Sequence, residues 1–163
     1  MEIRLAILDD VDGLDSLAKK GLEGGFWKYT ASRYYDPSAR DRLKSKILDN
    51  SRIVFVALID DMIAGNIMLE PGKDRCSHKV EFGFGVDPEF SGRGIGTELV
   101  KTAMIHCKKE GFVKAEAEVA EVNIPSIRVL EKNGFKLEGV KVKGFRTDEG
   151  EFVNLLVMGK VLD

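Results

Sequence analysis

Gly92, Gly94 and Gly96 recur at every second position in the stretch Ser91-Gly92-Arg93-Gly94-Ile95-Gly96-Thr97, just after the strand-like run Glu81 to Val86. Glycine carries no Cβ, so the backbone can turn tightly there and come close to a ligand. Beyond the turn, Ile95, Leu99, Ala103 and Cys107 recur every fourth residue, and Gly96, Val100 and Met104 widen the arc into the apolar face of a helix over about 94–110. The first N–H groups of that helix have no internal acceptors, and the helix dipole favours negative charge at the same end. A strand, a glycine turn and a helix N-terminus together form an anion cradle, most often for a phosphate.

Two common phosphate motifs do not fit. A P-loop closes on Lys followed by Ser or Thr, whereas Gly96 is followed by Thr97-Glu98. The dinucleotide fingerprint G-x-G-x-x-G is absent, and the glycine strand lies mid-chain instead of opening a βαβ repeat. Metal chemistry is not expected. Cys76 and His78 are two apart and His106 and Cys107 are adjacent, which is not finger-like spacing. With two cysteines there is no disulfide framework, so an intracellular, cytoplasmic location is the expectation.

The elements that position the cradle can be read in order. Glu2 to Ala6 reads as a short strand, followed by a helix through Leu14, Leu17 and Ala18 whose start is crowded by Asp9, Asp10 and Asp12. Gly24-Gly25 ends it, and the segment 26–35 holds the sole tryptophan, Trp27, and all three tyrosines, Tyr29, Tyr34 and Tyr35. Pro37 restarts a helix over about 38–48. Ile53 to Ile59 is almost wholly apolar and β-branched, like a central strand covered on both faces, and 63–69 returns as its hairpin partner. After strand 80–86 and the glycine helix come strand 112–119, a short helix from Pro125 to Asn133-Gly134, and two final strands over about 136–145 and 151–161. Six or seven strands with interspersed helices define an α/β (α+β) domain, and the unit from Glu81 to Val119 should be parallel and right-handed. No linker or repeat divides the chain, so residues 1–163 are expected to form one domain.

A second motif gives the cradle a context. Asn123-Ile124-Pro125-Ser126-Ile127-Arg128-Val129-Leu130-Glu131-Lys132-Asn133-Gly134-Phe135 follows one strand later. Together with Val86-Asp87-Pro88 and the glycine turn, it resembles the GNAT superfamily of N-acetyltransferases: a strand-end valine, a proline two residues on, G-x-G, and later N-x-x-S with K-x-G-F. Within that superfamily the motif is closest to the ribosomal-protein N-terminal acetyltransferase branch. The resemblance is dense over Val80 to Phe135. It implies a single-domain mixed sheet with helices on both faces and a splayed strand pair that holds coenzyme A.

What the resemblance implies for individual residues is chemically coherent. Backbone groups of Phe84, Gly85 and Val86 would pair with the pantetheine arm as an added strand. The Val86 N–H would stabilise charge on the thioester oxygen. Amides of Gly92, Arg93, Gly94, Ile95, Gly96 and Thr97 would hold the pyrophosphate, Asn123 would bond the cofactor arm, and Ser126 would lie near the sulfur. Asn123 also reads as a helix N-cap. Glu81 occupies the family's frequent general-base position. Two residues depart from the pattern. Ser91 stands where Arg or Gln is frequent, and Leu130 where many members carry a Tyr that protonates the thiolate. Leucine cannot do this, which leaves Ser126 or water for the task.

On the acceptor side, Trp27, Tyr29, Tyr34 and Asn154 join Glu81 as candidate substrate-binding residues, with core packing the favoured role for Phe26 and Trp27. The reaction so implied is acetyl transfer from acetyl-CoA to a primary amine, a protein N-terminus or a small molecule. The alternative, raised by Leu130, is a non-catalytic acyl-CoA-binding or sensor domain. A net charge of -2 carries no nucleic-acid footprint. No apolar run approaches a membrane span. The expected partner is therefore the amine acceptor, and a homodimer is compatible with the resemblance.

Overall fold

The computed structural model describes residues 1–31 and 35–163. Its core is a seven-stranded mixed sheet in the order β1-β2-β3-β4-β5-β7-β6. The strands are β1 (Glu2–Leu5), β2 (Ile53–Ile59), β3 (Met62–Pro71), β4 (Lys79–Val86), β5 (Lys114–Ala120), β6 (Lys136–Arg146) and β7 (Phe152–Val161). Every neighbouring pair is antiparallel except β4 with β5, which run parallel on either side of α3 (Ile95–Lys109), as the sequence leads one to expect.

β2 shows why its near-continuous apolar run is needed. Val54 and Val56 pack with Leu14 of α1 (Val11–Glu23) and Leu43 of α2 (Ala39–Leu48) on one face of the sheet. Phe55 and Ala57 pack on the other face, in the larger cluster that holds Leu99, Ala103 and Cys107 of α3 and Leu130 of α4 (Ile124–Lys132). Both faces of β2 are therefore dry, and alternation with polar residues would bury charge. Phe55 also meets His106 edge to face, with ring centroids 5.2 Å apart.

The acidic crowding before α1 does more than favour a helix dipole. Asp10 is buried and accepts both Arg4 guanidinium nitrogens, at 2.7 and 3.0 Å, and the Ile7 N–H at 2.8 Å. Burial pushes its carboxyl up, but these hydrogen bonds and the Arg4 charge outweigh burial and leave the pKa below its ordinary value. α1 and α2 cover only the β2–β3 side of their face. Over β4, β5, β7 and β6 that face carries charged side chains, paired as Lys79–Glu116, Lys114–Glu138 and Lys141–Glu118.

Candidate active site

β4 and β5 pair for only three residues, Lys79↔Lys114 to Glu81↔Glu116, and then separate. β4 continues along β3 as far as Val86↔Gly65, while β5 continues along β7 as far as Ala120↔Leu155. A wedge-shaped gap therefore opens inside the sheet. Asp87 donates its N–H to Ala64 O at 2.8 Å on the β3 side. Backbone direction alternates along a strand, so Gly85 also faces β3, while Phe84 and Val86 present their N–H and C=O to the gap.

The gap leads to the glycine turn. Gly92 and Gly94 have φ of +76° and +77°, and a Cβ at either would meet nothing within 4 Å. Both positions therefore need glycine for their left-handed backbone, and both leave open space ahead of α3. Gly96 differs. It is buried, and a Cβ there would make ordinary contact with the Phe84 ring at 3.4 Å and Val129 at 3.6 Å, so neither backbone conformation nor space demands a glycine. Ile95 is buried in the core. Arg93 is exposed, with its guanidinium 5.2 Å from the Phe90 ring centre.

α4 starts where β5 ends. The Asn123 side chain accepts the Ser126 N–H at 3.4 Å, which confirms the N-cap reading. Ser126 is half-buried in the first turn, and its hydroxyl has no partner among the described residues. Leu130 is fully buried in the core. Sequence reasoning missed Asn133 except as a stop signal. Its Nδ2 donates to Thr97 O at 3.2 Å and Val129 O at 2.9 Å, tying the end of α4 to the first turn of α3. A polar residue in a helix-terminating Asn-Gly pair was the available clue.

Also missed was Asp87, buried directly after Val86. Both its oxygens lie 2.9 Å from Lys20 Nζ, and it accepts the Glu89 N–H at 2.9 Å. The hydrogen bond to Asp87, with help from Glu89, raises the Lys20 pKa. This pair pins α1 to the end of β4. It also borders a cleft of about 580 Å³ between α1 and the β2–β3 turn, away from the sheet gap.

The aromatic candidates divide. Trp27 lies over the end of β4: its Nε1 donates to Val86 O at 3.3 Å, and a Cβ on Gly85 would fall 2.6 Å from its ring. Tyr29 meets Phe145 of β6 edge to face at 6.3 Å, so the segment after α1 bridges to the last hairpin. Phe26, expected to pack in the core, is instead 57% exposed, because it follows the Gly24-Gly25 turn that ends α1 at the surface. Tyr34 lies outside the described residues. Asn154 is engaged internally, with Oδ1 accepting the Lys143 N–H at 2.9 Å and Nδ2 donating to Glu121 at 3.2 Å. Glu81 lies on the open face, its side chain 69% exposed and 3.5 Å from Lys79 Nζ.

The site is thus a mixed sheet split between two parallel strands, opening onto a glycine-rich helix N-terminus. Residues 21–135 match the Acetyltransferase (GNAT) family, and the chain belongs to that family. It is 32% identical over 108 residues to the L-amino acid N-acetyltransferase AaaT of Escherichia coli (strain K12), covering 65% of this chain and 66% of that protein. It is 25% identical over 112 residues to the probable N-acetyltransferase camello of Xenopus tropicalis, covering 69% of this chain and 51% of that one. The matched part thus spans about two thirds and half of these relatives. The fold superposes on yncA, a putative acetyltransferase from Salmonella typhimurium solved with acetyl-CoA, with a TM-score of 0.89 at 19% identity over 100% of this chain and 94% of that one.

Proposed function

We propose that the chain is an acetyl-CoA-dependent N-acetyltransferase that acylates a primary amine, with residues 1–163 acting as one catalytic domain. The observation that carries this reading is the gap between β4 and β5 leading to Gly92 and Gly94. An extended amide-bearing arm fits between strand edges whose backbone groups lack strand partners. A pyrophosphate fits the open space that a Cβ at either glycine would enter. The AaaT relative, named for L-amino acids, supports an amine acceptor.

When bound, acetyl-CoA supplies an acyl group already activated as a thioester. The protein's part is to hold and polarise it. The N–H groups of residues 92–97 hold the pyrophosphate, and backbone groups of Phe84 and Val86 hold the arm. The Val86 N–H donates to the acyl oxygen, an interaction worth about 3 kcal/mol where charge develops. Asn123 and Ser126 face the sulfur end from α4, and water or Ser126 supplies the proton that leaves with the thiol.

Glu81 acts as the base that frees the attacking amine of its proton. Five residues of strand, about 17 Å, separate it from Val86. A glutamate side chain does not span that distance, so the proton passes through water along the open face above Gly83, where nothing lies within 4 Å of a Cβ position. The test is thiol release from acetyl-CoA with a panel of amines, beginning with L-amino acids, for wild type and Glu81→Gln. Turnover should fall on the order of 100-fold in the variant. CoA binding without turnover on any amine would refute the catalytic reading.

A further inference from the structure

Asn66 does not belong where it lies unless something meets it. It sits mid-strand in β3 between Val56 of β2 and Gly85 of β4, and is only 7% exposed. Its Oδ1 is buried with no hydrogen-bond partner, the sole such side-chain atom among the described residues. Buried polar groups in folded proteins are nearly always satisfied by protein, water or ligand, so an orphan amide oxygen in the middle of a sheet marks a place for a partner. Its position suggests which. Asn66 is the cross-strand neighbour of Gly85, one residue from Val86 and about 5 Å away. Gly85 has no side chain to fill the space beside it. That space holds the indole of Trp27, 2.6 Å from the Gly85 Cβ position and bonded to Val86 O at 3.3 Å.

We propose that Asn66 receives the acceptor amine: its Oδ1 accepts an amine N–H above Gly85, in exchange for the Trp27 indole, which covers this shelf in the free protein. The inference rests on the acetyltransferase reading and names the group that orients its nucleophile. A lone acceptor oxygen selects a substrate with N–H donors. A desolvated one discriminates strongly, because an analogue lacking the donor leaves it unpaired. Asn66 is thus a positioning and specificity-determining residue. Its partner is a compact primary amine able to pass beneath the segment that follows α1.

The experiment titrates an acceptor amine from the turnover panel into the protein–CoA complex, following the fluorescence of Trp27, the sole tryptophan. Wild type, Asn66→Leu and Asn66→Asp are compared, with CoA affinity and melting temperature measured for each. The expected result is a fluorescence change in wild type and at least a tenfold weaker amine affinity in Asn66→Leu. CoA affinity should be unchanged in that variant, and its melting temperature equal or higher because the orphan is gone. Asn66→Asp, which keeps an acceptor oxygen, should retain amine binding. If leucine is not accommodated, Asn66→Ala should show the same loss. Unchanged amine affinity in the Leu or Ala variant overturns the proposal, as does an amine that binds without altering the Trp27 signal. Absence of turnover by wild type on every amine would instead refute the acetyltransferase reading itself.

Discussion

Replacing Gly94 by alanine separates what the glycine turn does for the fold from what it does for a ligand. Gly94 holds φ +77° and ψ 7° at the N-cap of α3. An L-residue in that left-handed conformation costs about 1–2 kcal/mol. Alanine also narrows the unfolded ensemble, which returns about 0.4–1 kcal/mol. No atom lies within 4 Å of the Cβ position, so no clash adds to this. The net loss is about 1 kcal/mol, a fall of about 2–4 °C in melting temperature for a chain of this size. On the ligand side, the methyl group enters the space a pyrophosphate must cross to reach the first-turn N–H groups. Losing one charge-assisted hydrogen bond of about 1.5–3 kcal/mol weakens CoA binding by about 10- to 150-fold. Gly111→Ala is the matched control: φ is +88°, its Cβ position is equally open, and it lies past the other end of α3. Calorimetry with CoA and thermal melts on both variants should show equal stability losses and a binding loss in Gly94→Ala alone. Equal, unimpaired CoA affinity in the two would refute the cradle. An unshifted melt for both would refute the strain argument.

Asn133→Ala removes the donor that ties α4 to Thr97 O and should destabilise the fold by about 1–2 kcal/mol, seen as a lower denaturant midpoint, and weaken CoA binding as α3 and α4 loosen. Gly83→Ala, with open space at its Cβ and no positive φ, should raise stability by about 0.5–1 kcal/mol while raising the KM for the amine; a destabilised variant would contradict this. Burial pushes the Cys107 thiol up from 9.0 to about 11, so the native state holds its proton longer than the unfolded chain. Stability from this thiol is full below the unfolded value and declines as pH rises through about 11. At neutral pH a thiol reagent should therefore titrate exposed Cys76 only, with Cys107 reacting after denaturation; two fast equivalents in the native protein would exclude this.

The glycine turn, α3 and the start of α4 were legible in the sequence because their signals are local: alternating glycines, a four-residue apolar period and an Asn-x-x-Ser cap all act within one or two helical turns. The parallel β4–β5 pair was legible because a strand–helix–strand unit has one favoured hand. What escaped were pairings whose partners are far apart in the chain. Lys20 reaches Asp87 across 67 positions, and neither residue type signals the other. Asn133 contacts Thr97 across 36 positions, and its local role as a helix terminator concealed the second one. Asn66 lies in a run that reads as an ordinary hairpin strand, and only the register against Val56 and Gly85 shows that its side chain is buried without a partner. Asn154, a candidate acceptor contact by position, also bonds Glu121 across 33 positions, a pairing the sequence does not signal.

The gap between β4 and β5 gives up ladder hydrogen bonds that a closed sheet would make, and its geometry says which ones. Each half-sheet is pinned from its far side, β4 by β3 through Val86↔Gly65 and β5 by β7 through Ala120↔Leu155, so the halves cannot close without breaking longer ladders. α3 and α4, linked through Asn133, pack beneath the opening, with Gly96 of α3 facing the Phe84 ring. The gap-facing amides of Phe84 and Val86 must then bond to water or to an incoming arm, because leaving them dry costs about 1–3 kcal/mol each. Gly85 faces β3 and is paired throughout. Amide hydrogen exchange should therefore show a parity within one strand. In the free protein Phe84 and Val86 exchange faster than Gly85, and CoA slows the first two by a factor of about 10 or more while leaving Gly85 unchanged. Uniform protection along β4 in the free protein would mean that the sheet is closed in solution. Protection on CoA binding that spared Phe84 and Val86 would place the arm outside the gap.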